Sequence, residues 1–139
     1  MKNTFPHIGL IVFAFTFLIS LSSCDDTLTG SEIDNRYIPP TDVKYSEHIQ
    51  PIFDFKCNSS GCHDGSSSET SVILTSWALT TANPLIVFPG SPDNSILVWA
   101  IEGQNGAEVM PPYTYPVTPI NESQRNGIKT WIAEGAKNN

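Results

Sequence analysis

The sequence predicts a small, mainly helical domain with long loops, and three observations carry this prediction. Helical apolar spacing occurs soon after residue 44 and again near the C-terminus, a third helical segment lies between them, and the remaining chain is rich in Gly, Pro, Ser and Tyr. Notable loops are predicted over residues 65–70 and 103–119. Residues 42–139 are expected to form one domain of 98 residues, which is small for an unaided hydrophobic core.

The first helix is predicted in the stretch YSEHIQPIFDFKC, residues 45–57. Its apolar positions recur at spacings of three and four, which indicates one buried face. These positions are Ile49, Ile52, Phe53 and the aliphatic stem of Lys56. Pro51 is expected to kink this helix or to mark its first turn, because proline cannot donate the hydrogen bond that a helix interior requires.

A second helix is predicted in SPDNSILVWAIEG, residues 91–103. Ser91 is the expected N-cap, and Pro92 suits the first helical position. Apolar residues cover more than half of the circumference of this helix, which predicts that it is buried. These residues are Ile96, Leu97, Trp99, Ala100 and Ile101.

The third helix is predicted in NESQRNGIKTWIAEGA, residues 121–136. Asn121 is a good N-cap with Gln124 three residues later, and Gly135 is a good C-terminal stop. Gly127 costs about 1 kcal/mol inside a helix. Two interpretations of Gly127 are open: it lets another helix approach closely, or it is a tolerated defect.

The N-terminus predicts export and lipidation. Lys2 precedes an uncharged apolar run from Ile8 to Ile19, which is too short for a membrane span and typical of a signal peptide. The run closes with LSSC, residues 21–24, which resembles a bacterial lipobox. This resemblance implies a signal peptide over residues 1–23 and lipidation of Cys24, on a cell-envelope lipoprotein of a Gram-negative bacterium. The alternative is ordinary secretion with a free Cys24.

Residues 24–41 are predicted to be the lipidated cysteine and a flexible tether. The stretch DDTLTGSEIDNRYIPPT is polar and turn-rich, without a sustained helical or strand period. Fully extended, it would reach on the order of 55 Å at roughly 3.3 Å per residue. The protein would then contact the membrane through its lipid anchor alone.

The charge balance excludes one class of partner. Fourteen acidic and six basic residues follow Cys24, which gives the exported chain a formal charge of −8. Nucleic acid is not an expected partner, because phosphate binding needs clustered Lys and Arg. A partner with a basic surface is one expectation, and simple solubility explains the acidic surface equally well.

The stretch KCNSSGCHDG holds the residues with the clearest chemistry: Cys57, Cys62 and the adjacent His63. A disulfide between the cysteines is sterically possible, but it gains little from so short a loop and leaves His63 without a role. Structural zinc would need four ligands, with His48 as the remaining candidate. Covalent haem attachment accounts for all three residues, although the usual pattern is C-x-x-C-H.

The order HIQPIF, CH, FPGSPDNSIL, MPP and WIAEGA resembles the planctomycete-type cytochrome c domain, which is also found in Bacteroidetes lipoproteins. The resemblance covers residues 43–138 and implies an all-α, class I cytochrome c fold around one covalently bound haem c. The departure is the C-x4-C-H spacing, which resembles the longer attachment motifs of some multihaem cytochromes.

The resemblance implies a role for each of four residues. Cys57 and Cys62 would form the thioethers, His63 would be the proximal iron ligand, and Met110 of MPP would be the distal one. Met110 is the only methionine after the signal peptide, and two prolines stiffen the loop that presents it. The apolar side chains expected to cover the haem are Leu74, Trp77, Leu79, Ile86, Phe88, Leu97 and Trp99.

The function implied is one-electron transfer with a redox partner protein at the cell envelope, by a carrier and not an enzyme, because both axial positions of the iron would be filled. A rival of another class stays open. It is a haem-free surface lipoprotein that binds glycans or proteins through exposed aromatic residues, with Cys57 and Cys62 in a disulfide.

Overall fold

The computed structural model describes residues 28–58, 61–66 and 70–139. Within these ranges the chain forms helices and loops and no strand, so the predicted all-α class is confirmed. The α-helices, in chain order, are α1 Gly30–Asn35, α2 Gln50–Lys56, α3 Trp77–Thr80, α4 Ile96–Glu102 and α5 Glu122–Ala133. A π-helical turn, Tyr45–Ile49, leads into α2, and a 3₁₀ turn, Pro92–Asn94, precedes α4.

The first predicted helix is confirmed, but it contains two kinds of turn. Residues 45–49 are π-helical, and Pro51 lies in the first turn of α2, where its missing N–H has no partner to lose. The whole predicted stripe is buried, with Ile49 and Phe53 at 0% exposure and Ile52 and Lys56 at 1%. This stripe forms the centre of the domain.

Aromatic contacts join this centre to α5. The Tyr45 ring lies 5.1 Å from the Trp131 ring and 6.3 Å from the Phe53 ring, the latter edge-on. Trp131 is fully buried, and its indole N–H donates to the Lys137 carbonyl at 2.9 Å. The amphipathic faces of the first and last predicted helices therefore pack against each other, as their apolar spacing requires.

The second predicted helix is divided at Ser95. Ser95 has extended backbone angles, and its hydroxyl accepts from the Phe88 N–H at 2.9 Å and donates to the Ser91 carbonyl at 3.1 Å. These bonds hold the preceding loop, so α4 starts one residue later, at Ile96. Gly103 ends α4 in the left-handed conformation, with φ +64, which glycine adopts without steric cost.

The third predicted helix is confirmed as α5, with the expected capping box between Asn121 and Gln124. The role of Gly127 is also resolved. A Cβ at Gly127 would lie 2.6 Å from Cγ2 of Ile38, so the glycine admits a close neighbour. That neighbour is the extended segment after α1, and not another helix.

The tether predicted over residues 24–41 is wrong from Thr29 onward. Thr29 and Glu32 form a capping box that starts α1, and Ile33 is 1% exposed. Two side chains of α5 and its cap bind the end of α1: Gln124 donates to the Ile33 carbonyl, and Asn121 donates to the Asp34 carbonyl, both at 3.0 Å. A short polar sequence becomes ordered here because the domain supplies its apolar and polar partners.

The predicted signal peptide and Cys24 lie outside the described residues. Within the part of the chain that the structure describes, no helix is long and apolar enough to cross a membrane.

Candidate functional site

The four residues singled out by sequence border a single cleft. Cys57, Cys62, His63 and Met110 all line a cavity of about 520 Å³, which is within the range of roughly 300–1,000 Å³ typical of ligand and cofactor sites. The walls between them are mainly apolar, and they include Leu74, Ile86, Leu97, Ala100, Ile101 and Pro111. The cleft therefore suits a large apolar group with few polar contacts.

The end of α2 positions Cys57. Its N–H donates to the Phe53 carbonyl at 2.8 Å as the helix cap, and its own carbonyl accepts from the His63 N–H at 3.1 Å. This second bond holds His63 beside the end of α2. Gly61, with φ +84, occupies the left-handed region that glycine adopts without steric cost.

Cys57 and Cys62 are free thiols, both half-buried. Burial raises the pKa of the Cys57 thiol to about 12, and the charge of Lys56 opposes this only in part. The thiol therefore stays protonated at neutral pH. A protonated thiol is a poor nucleophile in disulfide exchange.

A backbone carbonyl selects the tautomer of the neutral His63 imidazole. Its Nδ1 lies 2.9 Å from the Val72 carbonyl oxygen, which can only accept, so Nδ1 carries the hydrogen and Nε2 is the nitrogen left for a metal ion. The Leu74 N–H donates to the His63 carbonyl at 3.0 Å and holds the same segment from the other side. An imidazole fixed in this way is typical of a metal ligand.

Three polar side chains that the sequence did not single out support this segment. Gln50 and Asn58 each donate to Asp54 Oδ1, at 2.6 and 2.9 Å, and each donates to the Leu74 carbonyl at 3.0 Å. Leu74 is thereby tied to α2, and through its N–H it holds His63. The spacing of four residues between these polar side chains is the only sequence signal for this arrangement.

Met110 reaches the cleft from the long loop between α4 and α5. Its N–H donates to the Ala100 carbonyl at 2.9 Å, so the same helix that lines the cleft also holds the methionine backbone. Pro111, which follows it, is buried. The structure thus brings Met110 to the cleft that His63 borders, although 46 residues separate them in the chain.

His48 is not among the residues that line this cleft. It lies on the π-helical turn, where its Nδ1 accepts from the Lys44 N–H at 2.9 Å. Among the described residues, no group of three or more His, Cys, Asp or Glu side chains is placed to hold a metal ion. The zinc interpretation therefore has no ligand set in this part of the chain.

Four of the seven apolar residues expected at the cleft lie elsewhere. Leu74, Ile86 and Leu97 border it. Trp77 instead donates its indole N–H to the Ala136 carbonyl at 2.8 Å, and Trp99 donates to the Asp93 carbonyl at 2.7 Å. Leu79 and Phe88 are about half exposed, at 46% and 47%. Backbone acceptors outside the cleft decide the positions of both indoles.

The fold and the site together suggest a c-type cytochrome. Residues 60–113 match the family model described as Planctomycete cytochrome C, which supports a planctomycete-type cytochrome c domain and confirms the resemblance seen in the sequence. The matched segment contains Cys62, His63 and Met110 and begins after Cys57. No curated protein and no solved structure matches the chain.

Proposed function

We propose that this protein is an electron-transfer cytochrome with one haem c, attached through Cys57 and Cys62 and ligated by His63 Nε2 and Met110 Sδ. One observation carries the proposal: these four residues line the same apolar cleft, in which the Val72 carbonyl leaves Nε2 of His63 available. When bound, haem c supplies a one-electron couple between ferrous and ferric iron.

The free thiols suit the attachment chemistry. Each thiol would add across one vinyl group of the porphyrin, so that sulfur bonds to one vinyl carbon, the thiol hydrogen passes to the other, and the double bond becomes single. This addition needs no oxidant, but it needs both cysteines as thiols, and the free Cys57 and Cys62 of the structure support it. In the longer C-x4-C-H spacing, Gly61 would help to accommodate the extra length, and its φ of +84 supports this role.

The remaining cleft residues favour a carrier over an enzyme. His63 and Met110 would both ligate the iron, and the mainly apolar walls of the cleft would limit the access of water to it. A thioether ligand raises the reduction potential of haem iron, so a positive potential is expected.

The charges at the cleft favour a redox partner with a basic surface. Of the charged side chains that line the cleft, Lys56 is paired with Asp34, and Glu108 is exposed to solvent. Asp64 follows His63 directly in the chain. The unpaired charges beside the cleft, on Glu108 and Asp64, are therefore both negative. With the charge of −8 after Cys24, this arrangement would attract a basic protein and repel nucleic acid.

The protein is proposed to lie close to the membrane that anchors it. If Cys24 is lipidated, four residues separate it from Thr29, the N-cap of α1. At roughly 3.3 Å per residue, the fully extended distance from Cys24 to Thr29 is on the order of 15 Å. This is well below the reach of the tether predicted from sequence. The proposed location is the envelope of a Gram-negative bacterium, with membrane contact through the lipid.

Mass spectrometry tests the central proposal. The protein is produced in cells with a cytochrome c maturation system and denatured in acid, and we expect a mass increased by one haem together with a pyridine haemochrome spectrum of haem c. Cys57→Ser and Cys62→Ser should each leave one thioether. An unmodified mass lower by two hydrogens would instead indicate a disulfide, and would favour the haem-free binding protein.

A further inference from the structure

Lys56 is a buried lysine directly before Cys57. Its side chain is 0% exposed, and its ammonium group lies within 3.0 Å of four acceptors. These are Asp34 Oδ1 at 2.6 Å, Thr118 Oγ1 at 2.9 Å, the Pro119 carbonyl at 2.9 Å and the Thr118 carbonyl at 3.0 Å. With its three hydrogens fully used, Lys56 has no capacity left for a group bound in the cleft.

Asp34 completes this arrangement from α1. Its Oδ1 accepts from Lys56, and its Oδ2 accepts from the Thr118 hydroxyl at 2.7 Å. Lys56 is fully buried and Asp34 is 26% exposed, and the ammonium group has the additional hydrogen bonds that a buried charge requires. Lys56, Asp34, Thr118 and Pro119 together are named the Lys56 cluster.

The Lys56 cluster anchors one end of the loop that carries Met110. The backbone of Met110 is held by Ala100, and the following residues, 111–119, contain an internal bond from the Tyr115 N–H to the Pro112 carbonyl. Among the hydrogen bonds of the described residues, those that tie residues 111–119 to the rest of the chain all end on Lys56 or Asp34.

We propose that Lys56 and Asp34 are positioning residues for Met110, because they anchor the C-terminal half of its loop. This inference rests on the proposed function. Pro111 and Pro112 stiffen the connection between the ligand and the anchored end, so release at Thr118 would loosen Met110 itself. The N-terminal helix α1, outside the segment that matches the cytochrome family, thus contributes to the site through Asp34.

The test compares imidazole binding to the ferric holoprotein in three variants. Lys56→Met leaves the charge of Asp34 without its partner. The double variant, Lys56→Met with Asp34→Leu, removes both charges, so that no unpaired charge destabilises the fold. Lys44→Met is the matched control, since Lys44 pairs with Glu47 on the surface. Imidazole must displace Met110, so its binding rate reports loosening of the ligand.

We expect the double variant to retain the helical circular dichroism spectrum and to bind imidazole at least roughly tenfold faster, which corresponds to the loss of one charge-assisted hydrogen bond. Amide hydrogen exchange in residues 111–119 should accelerate in parallel, and Lys44→Met should match the wild type. A folded double variant with the imidazole binding and amide exchange rates of the wild type would overturn the positioning role of Lys56 and Asp34. It would leave the proposed function in place. A wild-type protein without a low-spin haem spectrum would overturn the proposed function and, with it, the role given to Met110.

Discussion

The imidazole of His63 is polarised by its hydrogen bond to the Val72 carbonyl. Such a bond increases the basicity of the opposite nitrogen, which stabilises the ferric state of a bound iron, whereas a methionine ligand stabilises the ferrous state. The two proposed ligands therefore act in opposite directions on the reduction potential. Replacing one ligand at a time should therefore have distinguishable effects on the spectrum and the reduction potential.

Met110→Ala should remove the sulfur-to-iron charge-transfer band of the ferric protein, lower the reduction potential and let carbon monoxide bind the ferrous protein. The reason is that Met110 is the methionine that lines the cleft, and alanine offers no ligand. His48→Ala is the control, because His48 lies outside the cleft lining. A spectrum unchanged by Met110→Ala but altered by His48→Ala would show bis-histidine ligation instead.

Asp34 should make part of the stability depend on pH. Partial burial would raise the pKa of this carboxyl, but the hydrogen bonds from Lys56 and Thr118 and the charge of Lys56 outweigh it, so the pKa lies below its usual 3.8. The carboxylate therefore stabilises the folded state above pH 3.8, and this contribution is lost as the pH falls further through the folded-state pKa.

Urea unfolding measures this contribution in the wild type and in Asp34→Asn. The variant should be the less stable of the two at about pH 7. The difference should shrink as the pH falls below 3.8 and through the lowered folded-state pKa of the wild-type carboxyl. A difference that stays constant across this range would mean that Asp34 acts through packing and not through its charge.

Among the elements, α5 and the segment after α1 approach each other closely at Gly127. At Gly127 a Cβ would lie 2.6 Å from Ile38 Cγ2 and 3.1 Å from Cδ1. Ile38 is β-branched and 9% exposed, so it has little freedom to move away. Local helix propensity and tertiary packing therefore act in opposite directions at this glycine.

Gly127→Ala should destabilise the protein despite its better helix propensity. Replacing glycine by alanine inside a helix stabilises it by about 1 kcal/mol. Overpacking costs about 1–3 kcal/mol. Because the new Cβ would lie only 2.6 Å from Ile38 Cγ2, we expect a cost at the upper end of this range. Thermal unfolding of the single variants and of Gly127→Ala with Ile38→Ala measures the coupling. The double variant should lose less than the sum of the two single losses. Strict additivity would show that the two residues do not clash.

For the whole molecule, the order of the N-terminal segment changes the geometry expected at the membrane. The chain is held to the domain from Thr29, through the capping box and the burial of Ile33. A lipid at Cys24 would therefore keep the domain near the membrane surface. Redox partners would have to approach it there.

Cys24→Ser should release the protein from the membrane fraction or leave the precursor uncleaved, because serine cannot accept the lipid. Fractionation and metabolic labelling with a fatty acid measure the two effects. Cys62→Ser is the control for loss of a cysteine as such and should stay membrane-bound. Normal processing and unchanged membrane partition of Cys24→Ser would contradict lipidation at this position.

The sequence alone predicted the helices around Ile52, Leu97 and Ile128, together with the N-cap at Asn121, because apolar spacing and capping are interactions between residues a few positions apart. It also singled out the candidate site residues, because the cysteine–histidine motif and the lone methionine are local patterns. It missed the division at Ser95, where the hydroxyl binds a loop seven residues earlier.

The tertiary structure alone decided which of these residues meet. It placed Met110 and His63 at one cleft, gave His63 its tautomer through Val72, and surrounded Lys56 with Asp34 and Thr118. It also turned a predicted tether into a packed helix. The physical reason is the same in each case: these contacts join residues far apart in the chain, and their free energy exists only once the helices have packed and removed the partners from water.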